Sequence, residues 1–268
     1  MSINDPMATR GDLVDVATTG LQEAVRTSTV GIVSGSDAVQ WIGIGAGSLI
    51  RWNDQYLILT AEHVIRETRH DDLRFFFPFP TPPSAVERDA IKRIIAASAS
   101  GAQPFRKIDI GRVVADADLD MAILHVDGGL EATYPCRFLD IVAGGQTPPQ
   151  DTDILATGFP RDIARATGPG MLMVFSHTEW TKVGALRAGL PNFDPSLHFL
   201  ADYLTATDYE GANPTGLSGS GVWFHRTAPH VWHPNLDLAG LTISWYQNPR
   251  LLKIVRREAI ESFLNAHC

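Results

Sequence analysis

The amino-acid sequence predicts an all-β fold with a few short helices, and three observations carry that expectation. From Thr29 onward the chain breaks into short β-branched or aromatic runs separated by glycines. The runs follow one another too closely for helical crossovers, so neighbours should join as hairpins in a sandwich or barrel. With 268 residues and 44% hydrophobic composition, the chain has apolar surface for one large domain or two modest ones, and a pair of β-barrels is ordinary at that length.

The elements follow in order. Residues 11–26 place Leu13, Ala17, Leu21 and Ala24/Val25 near a 3.6-residue period, which predicts a short amphipathic helix weakened by Gly20. Thr29 to Ser34, Gln40 to Ile44, Ser48 to Trp52 and Tyr56 to Thr60 read as strands, with Asn53-Asp54 turning between the last two. Phe75 to Pro83 is aromatic and proline-rich, and its Phe75-Phe76-Phe77 cluster reads as core packing in preference to a lid or partner surface. Ser84-x-x-Glu87 forms a capping box that opens a helix through about Ala97, with Val86, Ala90, Ile91, Ile94 and Ile95 as its apolar stripe.

Strands resume at Lys107 to Ala115 and Met121 to Val126, and Asp127 to Gly144 reads as a connector. A second set of strand-like runs covers Asp153 to Gly158, Met171 to Ser176, His198 to Thr205, Gly221 to His225 and Leu238 to Trp245. Val255, Ala259, Ile260, Phe263 and Leu264 fall on one face of a predicted terminal helix. The densest basic run, Lys253 to Arg257, reads as the solvated side of that helix.

Charge and composition narrow the class. The net charge is −8 with scattered basic residues, so nucleic acid is not the expected partner. Cys136 and Cys268 cannot build a disulfide framework. Met1 to Arg10 lacks a secretory pattern, and no uncharged apolar run reaches the roughly 18 residues of a membrane helix. The expectation is a reduced, soluble, cytoplasmic protein that does not engage a membrane.

Three segments carry chemistry. His63 follows an apolar run in Thr60-Ala61-Glu62-His63-Val64. Its imidazole can take a proton and later return it, because an ordinary histidine titrates near 6.5. Asp116, Asp118 and Asp120 crowd one short stretch, and only Asp120 directly precedes the apolar Met121-Ala122-Ile123-Leu124. There a carboxylate can accept the His63 Nδ1–H, while Asp116 and Asp118 suit the turn. Ser218 lies in Gly216-Leu217-Ser218-Gly219-Ser220-Gly221. Gly216 allows a tight turn in which the N–H groups of Gly216 and Ser218 would form an oxyanion hole. Ser220 is the rival nucleophile, and by itself the stretch reads equally as a flexible Gly/Ser loop. Base, orienting carboxylate and nucleophile are the parts of acyl-transfer catalysis.

Two other signals carry less. His225-x4-His230-x2-His233 has no nearby cysteine or clear carboxylate, a poor zinc set. Gly43-x-Gly45 lacks the third glycine of a dinucleotide fingerprint. No metal and no cofactor is expected.

The motifs together resemble the trypsin/chymotrypsin superfamily, more closely its bacterial, HtrA-like branch than its secreted digestive members. Thr60 to Val64 is similar to the family's T-A-A-H-V, Asp120 to Leu124 to its D-[apolar]-A-x-L, and Gly216 to Gly221 to its glycine-flanked serine. Gly43 to Ile50 resembles the hairpin before the histidine, Ala156 to Pro160 the turn opening the second barrel, and Gly240 to Trp245 the strand beside which substrate pairs. The resemblance implies two six-stranded antiparallel β-barrels, at 28–130 and 131–255, with a helical insertion in the first. An N-terminal extension with a short helix (1–27) and a C-terminal helix (256–268) would flank them. His63 and Asp120 would come from the first barrel, Ser218 from the second, and a protein or peptide substrate would lie along Ser244, Trp245 and Tyr246.

Departures from the family pattern refine the expectation. Leu217 replaces an aspartate used in zymogen activation, and Gly221 replaces proline. Glu62 replaces alanine and is expected to point to solvent. Ala212 stands where an aspartate would select Lys or Arg, and Tyr246 stands where glycine opens the pocket, so a shallow site for small or medium apolar residues is expected. No PDZ module fits. The expected function is a serine endopeptidase that is not Lys/Arg-specific. The alternative is a silent or latent protease-fold binding module, switched by a regulatory protein partner.

Overall fold

The computed structural model describes residues 10–34, 43–66, 68–77, 106–159, 165–168, 171–173, 177–187, 189–203, 215–225, 236–248 and 250–268. Helix α1 (Arg10–Thr27) continues through Gly20, and Leu21 and Val25, four residues apart, are buried. Its end is closed by Ser28 and Thr29, whose hydroxyls donate to the otherwise orphaned Val25 carbonyl at 2.9 and 2.8 Å. The first sheet begins at once.

That sheet comprises β1 (Thr29–Ser34), β2 (Gly43–Trp52), β3 (Gln55–Thr60), β4 (Leu73–Phe76), β5 (Ile110–Asp116) and β6 (Met121–Val126). The six run antiparallel in the order β4-β1-β2-β3-β6-β5, and the two-residue β7 (Leu139–Asp140) pairs parallel to β2. The one-turn helices α2 (Glu62–Ile65) and α3 (Leu130–Thr133) lie after β3 and β6. Asn53 and Asp54 both take positive φ, 47° and 61°, the twist a two-residue hairpin requires.

The second sheet is built from β8 (Asp153–Gly158), β11 (His177–Lys182), β12 (His198–Asp202), β13 (Gly221–His225), β14 (Leu236–Tyr246) and β15 (Leu251–Arg256). A separate hairpin, β9 (Arg165–Gly168) with β10 (Met171–Met173), stands between β8 and β11 in sequence. The order β11-β8-β13-β14-β15-β12 curls until Val183, just after β11, bridges to Ala201 of β12. Helix α4 (Arg257–His267) completes the chain. Two six-stranded antiparallel barrels with short helices are thus the architecture, as the resemblance implied.

Three apolar cores explain the strand sequences. Val30, Ile32, Leu49, Ile58, Phe75 and Leu124 fill the first barrel, and Ile154, Phe199, Val222, Leu252 and Ile254 the second. A third core is the seam, which gathers Leu57, Leu59, Met121 and Ile123 from the first sheet with Leu155, Trp223, Leu241 and Ile243 from the second. Leu21 and Val25 of α1 and Ile260, Phe263 and Leu264 of α4 join it. Alternate residues of β3 and β6 therefore enter different cores. Both faces are dry, so these strands read as continuous apolar runs and not as alternation.

Several expectations change. Gln40 to Ile44 and Ser48 to Trp52 read as separate strands by pattern, and residues 40–42 lie outside the described residues. The chain from Gly43 to Trp52 is one strand, because the glycines expected to interrupt it admit neighbours: a Cβ on Gly45 would meet Val64 at 2.4 Å, and one on Gly47 would meet Ile58 at 2.5 Å. The Lys253 to Arg257 run is not a solvated helix face. Its first four residues end β15, Lys253 is buried, and Arg257 is fully buried with its guanidinium 5.7 Å from the Trp52 ring and Nη2 donating to the Val142 carbonyl. The capping-box helix predicted at Ser84 to Ala97 lies outside the described residues.

Leu241 faces the seam fully buried. Truncation to alanine should lower stability by about 2–5 kcal/mol in chemical denaturation, the usual range for a buried leucine.

Candidate functional site

The site lies where the two barrels meet, and its parts are set by short hydrogen-bonded turns. β3 ends at Thr60, Ala61 is extended (φ −76°, ψ 142°), and α2 starts at Glu62, which carries His63 out of the seam. Opposite it, Asp116 Oδ1 accepts from the N–H groups of Asp118 and Leu119 at 2.9 and 3.0 Å, a side-chain-stabilised turn. That turn ends at Asp120, whose φ of 52° is a left-handed conformation that aspartate tolerates better than most residues.

This geometry aims the Asp120 carboxylate at α2. His63 Nδ1 lies 2.8 Å from Oδ2 and 3.0 Å from Oδ1, and the His63 backbone N–H donates to Oδ1 at 3.0 Å. The Glu62 N–H donates to the Asp120 carbonyl at 3.2 Å. Asp120 therefore serves both as the cap α2 lacks from Ala61 and as the imidazole's orienting acceptor. A carboxylate at Nδ1 fixes the tautomer that leaves Nε2 free to accept.

Ser218 sits in a turn held from both barrels. Its carbonyl accepts the Ala46 N–H of β2 at 2.8 Å, while the next N–H, on Gly219, donates to the Thr242 carbonyl of β14 at 2.7 Å. Gly216 (φ 104°) and Gly219 (φ 88°) take conformations that side chains resist. The Gly216 carbonyl accepts from Phe159 N–H at 3.1 Å, and the Phe159 ring meets Phe76 edge-on with centroids 4.5 Å apart. Phe76 thus contributes to the floor under the serine turn. Ser218 is partly exposed, whereas Ser220 is fully buried, out of reach of a substrate. The Ser218 hydroxyl approaches the Ile243 carbonyl at 3.5 Å, and among the described residues no hydrogen bond joins it to His63.

The remaining predicted positions divide. Ser244, Trp245 and Tyr246 end β14, and the Tyr246 hydroxyl donates to the Pro191 carbonyl at 2.9 Å. Ala212, His230 and His233 lie outside the described residues. Glu62 does not point to solvent: its side chain is 11% exposed because Arg66 Nε reaches both its oxygens, at 3.0 and 2.7 Å. Among the described residues no cluster of His, Cys, Asp or Glu has the makings of a metal site. Nor is any helix long and apolar enough to cross a membrane.

Sequence reading missed a polar layer on the outer face of the second barrel. His198 and Lys253 are both buried there, and burial, with the Lys253 charge, pushes the His198 imidazole down to about 4. Its Nδ1 lies 3.1 Å from both the N–H and the carbonyl oxygen of Asp194, so it can accept from the one or donate to the other.

No family model and no curated protein matches the sequence. Solved structures do. The serine endoprotease from Yersinia pestis aligns at TM-score 0.53 and 15% identity over 92% of this chain, which spans only 64% of that one. The Rv3671c protease from M. tuberculosis, in its active form, aligns at TM-score 0.52 and 15% identity over 92% of this chain and 83% of that one. The chain has the chymotrypsin-type double-barrel fold. Within this chymotrypsin-type fold, the three sequence motifs lie at the junction of the barrels, two of them joined directly by the His63–Asp120 contact.

Two outcomes follow. A Cβ at Gly219 would stand 2.1 Å from the Ala46 carbonyl oxygen and 2.3 Å from Thr60 Oγ1. Gly219→Ala should therefore displace the serine turn, costing about 1–3 kcal/mol of strain in urea denaturation, with a greater than tenfold loss of any Ser218 reactivity toward a fluorophosphonate. The His198 shift predicts a pH effect of definite sign. The unfolded chain takes up this proton near 6.5, the folded chain only near 4, so stability falls as pH drops through that interval and levels off below it. The loss should reach at most about 3 kcal/mol. His198→Gln should flatten that part of the stability–pH curve.

Proposed function

We propose that the chain is a serine endopeptidase that hydrolyses peptide bonds through an acyl-enzyme. The observation that carries this reading is the His63–Asp120 contact at 2.8 Å, set beside a serine turn that the opposite barrel holds in place. Ser218 Oγ attacks the scissile carbonyl as His63 Nε2 takes its proton, and Asp120 steadies the imidazolium that results. The N–H groups of Gly216 and Ser218 receive the developing oxyanion, a contribution of about 3 kcal/mol per donor in enzymes of this kind. His63 then protonates the leaving amine, and water, activated by the same imidazole, releases the acyl group. No cofactor enters.

The substrate is a protein or peptide that pairs along Ser244 to Tyr246 as an added strand. β13 pairs with β14 only up to Leu241, while β15 pairs with β14 through Tyr246, which leaves the other edge of 242–246 without a β13 partner. With Ala212 in place of an acid and Tyr246 anchored at Pro191, cleavage favours small or medium apolar residues and not Lys or Arg. We place the enzyme in the cytoplasm, in the reduced state of Cys136 and Cys268.

A second reading is favoured by one observation. The Ser218 hydroxyl faces the Ile243 carbonyl and not His63, as in a latent or silent protease-fold module that a partner must switch. Fluorophosphonate labelling mapped by mass spectrometry separates the two. An active enzyme is labelled at Ser218, and Ser218→Ala abolishes both labelling and casein cleavage. Asp120→Asn should lower kcat by roughly 10⁴. A folded wild type that takes no label would reject the endopeptidase reading in favour of the latent module.

A further inference from the structure

Two buried hydroxyls of the first barrel meet the turn that carries Ser218. Ser48 lies on β2 opposite Leu59, a residue of the seam core, so its side chain faces the second barrel. It is fully buried, and its Oγ accepts the Gly221 N–H at 2.6 Å. Proline, which the family pattern has at position 221, would bring no N–H to that oxygen. A Cβ at Gly221 would stand 2.6 Å from Ser48 Oγ and 3.0 Å from Trp223 Nε1, so the close approach needs glycine. Thr60, at the end of β3, is also fully buried, and its hydroxyl donates to the Ala46 carbonyl at 2.6 Å.

Along the turn the contacts divide between the barrels. The Ser218 carbonyl accepts the Ala46 N–H at 2.8 Å and the Gly221 N–H reaches Ser48, both partners on β2. Between them, the Gly219 N–H donates to the Thr242 carbonyl at 2.7 Å and the Ser220 carbonyl accepts the Thr242 N–H at 2.8 Å, both on β14. A single hydrogen bond to the first barrel would let the turn pivot, whereas two, at Ser218 and Gly221, fix its direction as well as its place. The Ala46 end of this attachment is set in turn by Thr60. Thr60 Oγ1 and the Ala46 oxygen it holds stand 2.3 and 2.1 Å from where a Gly219 Cβ would be. Thr60 lies three residues before His63, so the same contact adjoins the strand end that delivers the base.

The structure assigns Ser48 and Thr60 as positioning residues of the candidate site: both are buried out of a substrate's reach, and together they set where Ser218 stands relative to His63. This rests on the endopeptidase reading above. Attack depends steeply on that placement, since a displacement of about 1 Å in a reacting group can cost about 10²-fold in rate. Loss of either hydroxyl takes a partner from a buried backbone group. Without Ser48 Oγ the Gly221 N–H loses its acceptor, and the turn must shift to satisfy it elsewhere. Without Thr60 Oγ1 the Ala46 carbonyl loses its donor, and the Gly219 backbone loses the atom that spaces it from β3.

The test follows fluorophosphonate labelling of Ser218 over a range of probe concentrations in wild type, Ser48→Ala, Thr60→Val, Thr60→Ser and Ile254→Val, with thermal melts of each. Thr60→Val keeps the shape of the side chain without its hydroxyl, and Thr60→Ser keeps the hydroxyl. Ile254→Val truncates the core of the second barrel and should lower stability alone. Ser48→Ala and Thr60→Val should each lower the limiting labelling rate by about tenfold or more, with the half-saturating probe concentration unchanged. Thr60→Ser and Ile254→Val should label at the wild-type rate. A wild-type rate in folded Ser48→Ala or Thr60→Val overturns the assignment for that residue. So does failure of that variant to fold, since its hydroxyl is then a requirement of the fold. An equal loss of rate in Ile254→Val overturns both, because the loss then tracks stability. A wild type that takes no label sinks the endopeptidase reading instead. The placement of the turn is then read from amide hydrogen exchange at Ala46, whose N–H donates to the Ser218 carbonyl. Exchange there should quicken by about tenfold in Ser48→Ala and in Thr60→Val but not in Ile254→Val, and unchanged protection overturns the assignment.

Discussion

The approach of the serine turn to strand β2 is the constraint on which the site depends. The Ala46 N–H reaches the Ser218 carbonyl at 2.8 Å, and the Ala46 carbonyl receives the Thr60 hydroxyl at 2.6 Å. One residue of the first barrel therefore addresses both the turn that carries Ser218 and the strand that leads to His63. The approach is possible because Gly219 has no side chain, and its 88° φ turns the chain back to the Thr242 carbonyl of the second barrel. Nearby, the Gly221 N–H at the start of β13 donates to Ser48 Oγ at 2.6 Å, a second hydrogen bond between the barrels. Backbone groups buried in the seam are thus paired across it, as buried polar groups must be.

The apolar seam makes that registration rigid. Strands β3, β6, β8 and β14 each divide their residues between a barrel interior and the seam, so neither barrel can move without exposing the other's surface. Helices α1 and α4 add Leu21, Val25, Ile260 and Phe263 to the same core. Arg257 reinforces it with its charge buried beside Trp52 and balanced by Glu261 at 3.2 Å. The positioning of His63 against Asp120 is local to the first barrel. The positioning of Ser218 against them is a property of the seam.

Electrostatics at the site are arranged in layers. Asp120 lies directly against the imidazole, with a left-handed backbone that spends local strain to aim its carboxylate. Glu62 and Arg66 neutralise each other beside it. On the second barrel lies a polar layer in which Lys253 and Arg256 are tied to the carbonyls of Asn192 and Pro195 and His198 lies against the Asp194 backbone. That loop is also where Tyr246 is anchored. The segment that would shape a substrate's seat and the buried Lys253 are therefore held by one stretch of chain.

The sequence by itself determined the hairpin-rich β architecture, the N- and C-terminal helices, the Asn53-Asp54 turn and the separation of Asp120 from its turn-forming neighbours. Each rests on local physics: periodicity, turn propensity and the position of a polar residue at the edge of an apolar run. It could not determine β15, because Lys253 and Arg256 break the apolar pattern and only their carbonyl partners on the 190–197 loop make burial tolerable. It left β4, β9 and β11 unassigned, since strands such as His177 to Lys182 are polar by composition and are fixed by pairing with β8. It read Glu62 as solvated, because an ion pair four residues along a single helical turn is invisible without the turn. Whether three motifs spread from residue 60 to residue 221 belong to one site is decided only by the tertiary structure. Their proximity is a product of the seam, where glycine, a backbone hydrogen bond and two apolar faces bring distant segments within contact.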